Sequence, residues 1–165
     1  MYENLSFPYG SGRYAIYLRK SRRDLDAEAR GESETLERHF QILKELARQM
    51  KLNIERIYAE VVSGDSIEAR PQMQLLLRDV ENGLYDGVLV VEVERLARGD
   101  TSDQGRVAKT FKLSGTLIIT PAKTYDPNNE YDEEYFEFGL FMSRREYKTI
   151  RRRLTAGAEA SRREG

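Results

Sequence analysis

The sequence predicts a single α/β domain in which a mainly parallel sheet is flanked by helices. Three short runs rich in apolar residues, 14–18, 54–62 and 88–91, are typical of strands, and segments with apolar residues at helical spacing lie between them. Strands that alternate with helices in this way form parallel sheets. A chain of 165 residues, 39% of them apolar, is long enough for one such domain with its own core.

We divide the chain into three parts. Residues 1–12 are rich in glycine and proline and predict a flexible leader, and residues 13–130 carry the alternating strands and helices of the α/β domain. Residues 131–165 predict one long helix. At 1.5 Å per residue that helix would be roughly 50 Å long, against a radius of gyration of about 15 Å for a compact domain of this size. We therefore expect one end of it to project from the body.

Composition limits the setting and the partners. The chain has no cysteine, which excludes disulfides and thiolate metal sites and fits a reducing compartment. No stretch approaches the eighteen or more apolar residues of a membrane span, so we expect a cytoplasmic protein without a membrane partner. The net charge is only -1, but residues 126–137 are strongly acidic and residues 144–163 strongly basic. The average charge therefore does not exclude nucleic acid.

The first strand leads into a group of basic and hydroxyl residues. Its apolar run ends in Arg19, Lys20 and Ser21. A serine is a weak nucleophile unless a base or a strong field acts on it, and the chain has a single histidine. A Ser–His acyl transfer is therefore poorly supported, whereas guanidinium groups match phosphate oxygens and stabilise phosphoryl transfer. The pattern favours Ser21 as a nucleophile towards a phosphodiester.

The next elements bring further polar residues to the ends of strands and helices. Apolar residues at helical spacing predict a helix over about 33–51, and the strand that follows it, 54–62, ends at Ser63. Arg70 then precedes Pro71, which suits the first position of another helix.

A central strand precedes the remaining candidate residues. Residues 88–91 are apolar without alternation, as in a strand covered on both faces, and Glu94, Arg95 and Arg98 follow them. The carboxyl ends of parallel strands share one edge of a sheet, where ligands gather. We therefore expect the polar residues that follow the three strands, Ser21 among them, to converge.

The predicted last helix changes character along its length. Its first turns are acidic, which suits the positive end of a helix dipole. The spacing of residues 126–137 resembles a calcium loop, but Tyr131 stands where the sharp turn requires glycine, so we expect no metal site there. The second half of the helix is rich in arginines suited to a phosphate backbone. The candidate DNA-binding residues are Arg151, Arg152, Arg153, Arg162 and Arg163.

In order and spacing, these clusters resemble the catalytic domain of the serine recombinases, the family of resolvases, invertases and large serine integrases. The resemblance covers about residues 13–163. Its motifs stand here as Tyr17-Leu18-Arg19-Lys20-Ser21, Ser63-Gly64 with Arg70-Pro71, Glu94-Arg95-Leu96-Ala97-Arg98, and Glu146, Ile150 and Arg153 in the last helix. Any one of these motifs is weak evidence, but four in the same order are specific.

The resemblance implies a resolvase-like fold and a reaction. Ser21 would attack the scissile phosphate, form a 5′-phosphoseryl linkage and free a 3′-hydroxyl, and the reverse attack would rejoin strands after exchange. The serine ester keeps the energy of the phosphodiester, so no cofactor, ATP or metal is implied. The residues implied to bind the phosphate, with Arg70 in support, are Arg19, Arg95 and Arg98. The other implied site residues are Tyr17, Ser63 and Glu94.

The resemblance also implies partners and an origin. The partners are double-stranded DNA and further copies of the chain, as a homodimer and as a tetramer in the synaptic complex. The origin is prokaryotic or phage. The long loop of residues 22–32 is most like that of the large serine integrases, which continue into DNA-binding domains. We therefore expect the chain to be a fragment truncated before such domains.

Some positions depart from the family pattern. Glu94 stands where the family usually has Asp, Glu37 where Gln is common, and Tyr147 where the last helix usually has Arg. The longer carboxylate of Glu94 could orient an arginine only from a shifted main chain. We assign Glu37 and Tyr147 no catalytic role.

Two other classes of function stay open. The same anion-binding edge would serve a non-catalytic α/β module for a nucleotide or a phosphoprotein, although the chain has no glycine-rich phosphate loop. It would also fit a dimerisation module in which the sheet is only a scaffold. Covalent trapping on DNA separates the recombinase from both.

Overall fold

A computed structural model describes residues 5–21, 35–62, 70–96 and 101–132, and at residues 21, 35, 62, 101 and 102 it describes the main chain only. The strands are Phe7–Pro8 (β1), Ser11–Ser21 (β2), Leu52–Val62 (β3), Gly87–Leu89 (β4), Leu117–Ile119 (β5) and Thr124–Tyr125 (β6). The helices are Thr35–Met50 (α1), Pro71–Glu81 (α2) and Thr101–Ser114 (α3). Within the described residues these strands form one sheet in the order β1-β3-β2-β4-β5-β6.

The inner strands of the sheet are parallel. β2 pairs with β3 on one side and with β4 on the other, and β4 pairs with β5. The two-residue strands β1 and β6 lie at the edges and run antiparallel to their neighbours. The predicted α/β fold with a mainly parallel sheet is therefore confirmed.

Each face of the sheet has its own hydrophobic core. Tyr17 and Val88 pack on one face with residues of α2 and α3, such as Phe111. Ile16 packs on the opposite face with residues of α1, such as Leu43. Helices on both faces explain why β2 and β4 are apolar almost without alternation.

The order of the strands determines where a crevice forms. The chain passes from β2 to β3 on one side and then returns to β4 on the other side of β2. In open α/β sheets this reversal leaves a crevice outside the carboxyl ends of the two diverging strands, and ligands bind there. Here that position lies beyond the ends of β2 and β4.

Residues 7–12, which are part of the segment predicted as a flexible leader, belong to the sheet or lie against its edge. Phe7 and Pro8 pair with the start of β3, and the Phe7 ring stacks on Tyr9 and packs against Phe40, with centroids 5.7 and 6.0 Å apart. A proline without an N–H is tolerated in an edge strand. Gly10 lies so close to Lys51, the residue before β3, that an added Cβ would stand 1.9 Å from the Lys51 carbonyl oxygen. The small and cyclic residues that suggested flexibility instead fit this segment against the edge of the sheet.

The predicted long helix of residues 131–165 lies almost wholly outside the described residues. Within them, residues 130–132 are helical. None of the described helices is both long and apolar enough to cross a lipid bilayer.

Candidate active site

The carboxyl edge of β2 and the turn after β4 bring several predicted site residues together. β2 carries Tyr17 and Arg19 and ends at Ser21, which pairs with Val62 of β3. The other predicted site residues that the structure describes are Arg70, Glu94 and Arg95. These residues therefore lie at the carboxyl ends of β2 and β4, where the strand order predicts a crevice.

The turn after β4 carries Arg95 towards β2. Residues Val93–Arg95 form a 3-10 turn, in which the Arg95 amide donates to the Glu92 carbonyl at 3.1 Å. The Arg95 Nη1 donates to the carbonyl of Arg19 at 3.5 Å, at the long end of hydrogen-bond distances. Arg95 is partly exposed, whereas Arg19 is only 3% exposed. Of these two guanidinium groups, that of Arg95 is the one already open to an incoming anion.

Glu60 is a residue of this edge that the sequence analysis missed. Its carboxylate accepts a 2.6 Å hydrogen bond from the Tyr17 hydroxyl. It also accepts hydrogen bonds from the main-chain amides of Gln72 and Met73, at 3.0 and 3.1 Å. A carboxylate inside an apolar strand, two residues before its end and in register with Arg19, was the available signal.

Glu60 caps helix α2 from a distance. The helix opens with Pro71, which has no N–H, and its N-cap residue is Arg70, whose side chain makes no cap hydrogen bond. The next two amides, of Gln72 and Met73, donate to Glu60, and that of Gln74 donates to the Arg70 carbonyl at 3.1 Å. These hydrogen bonds satisfy amide donors that a helix start leaves without partners within the helix. They also mean that the Glu60 carboxylate lies at the positive end of the helix dipole.

Arg70 is fully buried between this helix start and the turn after β4. Its side chain is 0% exposed, and its Nη1 donates to the carbonyls of Arg95 and Leu96 at 3.3 and 3.1 Å. The Arg70 guanidinium also lies near enough to the Tyr17 hydroxyl of β2 to lower the pKa of Tyr17. The guanidinium thus ties β2 to the turn that carries Arg95.

The Tyr17 hydroxyl lies among these charges. Burial raises the pKa of Tyr17 far above its ordinary value, and the charge and hydrogen bond of Glu60 raise it further. The Arg70 guanidinium acts in the opposite direction but has the smaller effect. Tyr17 is therefore a protonated donor and not a base.

Several predicted residues cannot be placed in this geometry. The Ser21 side chain is outside the description, although its main chain ends β2. Glu94 lies half-buried in the turn beside Arg95.

Within the described ranges, no group of three or more His, Asp or Glu residues is arranged to hold a metal ion. The predicted residues that lie outside the described ranges are Ser63, Arg98, Arg151, Arg152, Arg153, Arg162 and Arg163.

A strand that ends in a serine and carries a buried arginine, with a partly exposed arginine donating to its main chain, is suited to an anionic ester. A family model described as "Resolvase, N terminal domain" matches residues 14–165, from β2 to the end of the chain. The chain belongs to the resolvase family. The resemblance to the serine recombinase catalytic domain is therefore confirmed, and site-specific recombination is the function of this resolvase-family domain at the level of the family.

Two solved structures share the fold of this resolvase-family domain. The N-terminal catalytic domain of TP901-1 integrase is 22% identical with a TM-score of 0.58, and the match covers 86% of this chain and 98% of that one. The C-terminal catalytic domain of ISC1926 TnpA, an IS607-like serine recombinase, is also 22% identical with a TM-score of 0.52, over 66% of this chain and 68% of that one. At this identity the two likenesses establish the architecture alone.

Proposed function

We propose that this domain cleaves and rejoins DNA through Ser21. The serine oxygen loses its proton and forms a bond to the scissile phosphorus while the bond from phosphorus to the 3′-oxygen breaks, and the departing oxygen takes up a proton. The products are a 5′-phosphoserine linkage and a free 3′-hydroxyl. One phosphoester replaces another, so the same attack in reverse restores the DNA strand without ATP.

One observation carries the proposal: β2 ends at Ser21 beside the turn whose Arg95 guanidinium lies 3.5 Å from the Arg19 carbonyl. A nucleophile and a donor to phosphate oxygens are thereby held by neighbouring parallel strands at the ligand-binding edge of the sheet. Donors in place before the reaction stabilise the developing charge without reorganisation. Family membership supports the same chemistry.

We assign phosphate binding to Arg19, Arg95 and Arg98. Arg95 is partly exposed and makes the first contact, and Arg19 is buried at the strand end, so it reaches the phosphate as DNA displaces what covers it. Catalytic hydrogen bonds often tighten only in the substrate complex. Replacing Arg95 with alanine should slow cleavage on the order of a hundredfold or more, the scale for one lost transition-state donor.

The partner is double-stranded DNA, and the active assembly contains several copies of the chain. A recombination that exchanges two duplexes breaks four strands, and each serine holds one 5′ end. Four copies are therefore needed in the synaptic complex, which a pair of homodimers supplies.

Covalent trapping tests the proposal. The wild-type protein is incubated with duplex DNA that carries its recombination site, the reaction is quenched with denaturant, and the attached peptide is identified by mass spectrometry. We expect a nucleotide on Ser21 in the wild type and no adduct in Ser21→Ala, with the fold intact because the change removes one hydroxyl from the last residue of a strand. Ser11→Ala, an exposed serine at the other end of β2, is the matched control and should react normally.

An adduct that persists in Ser21→Ala would remove Ser21 from the role of nucleophile. DNA binding by the wild type without any adduct would favour the non-catalytic phosphate-binding module instead.

A further inference from the structure

We propose that Arg70 is a positioning residue for DNA cleavage, which holds the turn that carries Arg95 and does not bind the DNA phosphate. The inference rests on the function proposed above. It assigns Arg70 a role different from the support of phosphate binding that the family resemblance implies.

The first argument is the geometry of the Arg70 guanidinium. Its Nη1 donates to two successive carbonyls, those of Arg95 and Leu96, at 3.3 and 3.1 Å. These carbonyls lie at the end of the 3-10 turn, where main-chain acceptors lack partners within the turn itself. A planar guanidinium has donors in a fixed arrangement that suits neighbouring acceptors. Arg70 therefore stabilises the end of this turn.

The second argument is that the start of helix α2 fixes the main chain of Arg70. Its carbonyl accepts the Gln74 amide in the first turn of α2, and Glu60 accepts the two preceding amides of that helix. The Tyr17 hydroxyl joins the Arg70 and Glu60 side chains to β2. The Arg70 side chain thus connects a capped helix start, β2 and the turn after β4.

The third argument concerns what phosphate binding would cost. Arg70 is 0% exposed, so it could reach DNA only by leaving the Arg95 and Leu96 carbonyls. Those two acceptors, of which the Leu96 carbonyl is buried, would lose a charged donor. Arg95 is partly exposed, and its Nη1 lies 3.5 Å from the Arg19 carbonyl of β2. Because Arg70 donates to the Arg95 carbonyl, it holds the main chain from which the Arg95 guanidinium extends.

Arginine footprinting of the wild type gives the first test and does not depend on the folding of any variant. The protein is treated with phenylglyoxal alone and with duplex DNA, and modification of each arginine is read by mass spectrometry. We expect Arg70 to stay unmodified in both samples, and Arg95 to be modified in the free protein and protected by DNA. Arg48, exposed on α1, is the control and should react equally in both. Modification of Arg70 that DNA suppresses would overturn the inference.

A double-mutant cycle gives the second test. Arg70→Lys keeps the charge but cannot present two fixed donors, and a small displacement of a catalytic group can cost about a hundredfold in rate. We expect Arg70→Lys to slow adduct formation by about tenfold to a hundredfold, and Arg95→Ala combined with Arg70→Lys to be no slower than Arg95→Ala alone. Effects that multiply would show that Arg70 acts on the substrate independently of Arg95.

The salt dependence of DNA binding separates positioning from phosphate contact. Each phosphate contact contributes about one unit to the slope of log K against log salt. Arg95→Met should therefore flatten the slope by about one unit, and Arg70→Met added to Arg95→Met should flatten it no further. A slope that is flatter in this double variant than in Arg95→Met would contradict the inference. A wild type that forms no adduct would contradict the proposed cleavage reaction alone, because footprinting and salt titration report on Arg70 without any cleavage.

Discussion

Tyr58, Asp79 and Tyr85 form a buried polar cluster on the α2 side of the sheet. The Tyr58 hydroxyl donates to Asp79 and lies 2.7 Å from the Tyr85 hydroxyl, and the two rings meet edge to face. The Arg56 Nη1 lies 3.4 Å from the same Asp79 carboxylate. Burial raises the pKa of Tyr58 well above its ordinary value, and its hydrogen bonds to Asp79 and Tyr85 raise it further. Tyr58 is therefore a permanent donor to a buried carboxylate.

Removing that donor should destabilise the domain. We expect Tyr58→Phe to lower the free energy of unfolding by about 1–3 kcal/mol, because the buried Asp79 loses a hydrogen bond that water cannot replace. Urea denaturation measures the loss. Tyr131→Phe removes a hydroxyl from a side chain that is 76% exposed and should change little. Equal stability of Tyr58→Phe and the wild type would show that the cluster contributes nothing.

Two glycines should respond in opposite ways to the same added methyl group. A Cβ at Gly10 would stand 1.9 Å from the main-chain oxygen of Lys51, whereas a Cβ at Gly105 in α3 would meet nothing within 4 Å. Gly10→Ala should therefore cost about 1–3 kcal/mol of stability through overpacking. Gly105→Ala should add roughly 0.5–1 kcal/mol, because alanine loses less conformational freedom than glycine in a helix. Thermal unfolding of both variants would reveal the difference, and shifts of the same sign would contradict the packing of Gly10 against Lys51.

At the scale of the element, helix α2 depends on a carboxylate from another strand. Glu60→Gln removes the charge at the helix start and turns one acceptor into a donor that faces main-chain amides. We expect a loss of about 1–3 kcal/mol and faster hydrogen exchange at the amides of Gln72 and Met73. Glu45→Gln, on the exposed side of α1, is the matched control. Unchanged exchange at the two amides would contradict remote capping.

The start of the last helix is held by residues on both sides of β6. The Asn129 Oδ1 accepts the amides of Tyr131 and Asp132, as an N-cap does, and the Asp126 Oδ1 accepts the Asn128 amide. Asp132 in turn forms an ion pair with Lys123. The side chains of Asp126 and Asn129 therefore accept hydrogen bonds from main-chain amides, and that of Asp132 pairs with a lysine.

This arrangement predicts a small pH dependence. The hydrogen bond from Lys123, and then the amide of Asp126, hold the pKa of Asp132 below its ordinary value of 3.8. A lowered folded pKa means that the stabilisation is present at neutral pH and is lost as the pH falls below 3.8 and through the folded value. Asp132→Asn should cost less than about 1 kcal/mol at pH 7, since the pair lies near the surface, and nothing once the carboxyl of the wild type is protonated. Urea denaturation at pH 7 and in acid checks this, and an undiminished difference in acid would exclude the ion pair as the cause.

At the scale of the whole molecule, the sequence of the last helix predicts two separable roles, although the residues involved lie outside the described ranges. Phe141 and Met142 belong to its apolar half and need a cover, which a symmetric second copy provides. Arg151, Arg152 and Arg153 belong to its basic half and suit a phosphate backbone.

Substitutions in each half should give different defects. Replacing Phe141 and Met142 with Asp should weaken self-association, and replacing Arg151, Arg152 and Arg153 with Ala should weaken DNA binding and flatten its salt dependence without changing the oligomeric state. Sedimentation and salt-titrated DNA binding on both variants are the measurements. Unaltered association in the first variant, or an unaltered salt slope in the second, would contradict this division of the helix.

The sequence by itself determined the fold class and most of the element positions. Apolar spacing and Pro71 are local signals, and they predicted α2 and the parallel strands because secondary structure responds to neighbours in the chain. That the ends of β2 and β4 lie at one edge also followed from sequence, since parallel strands share the edge at which they end.

Only the tertiary structure decided how that edge is held together. Tyr17 and Glu60 are 43 residues apart, and Arg70 and Arg95 are 25 apart, so no local pattern links them. Two residues of the predicted leader form β1, because the Phe7 ring packs against Phe40 of α1. Arg70 is a buried link to the turn after β4, because its guanidinium lies within hydrogen-bond distance of the Arg95 and Leu96 carbonyls. A side chain's role depends on which distant groups surround it, and that information exists only once the chain has folded.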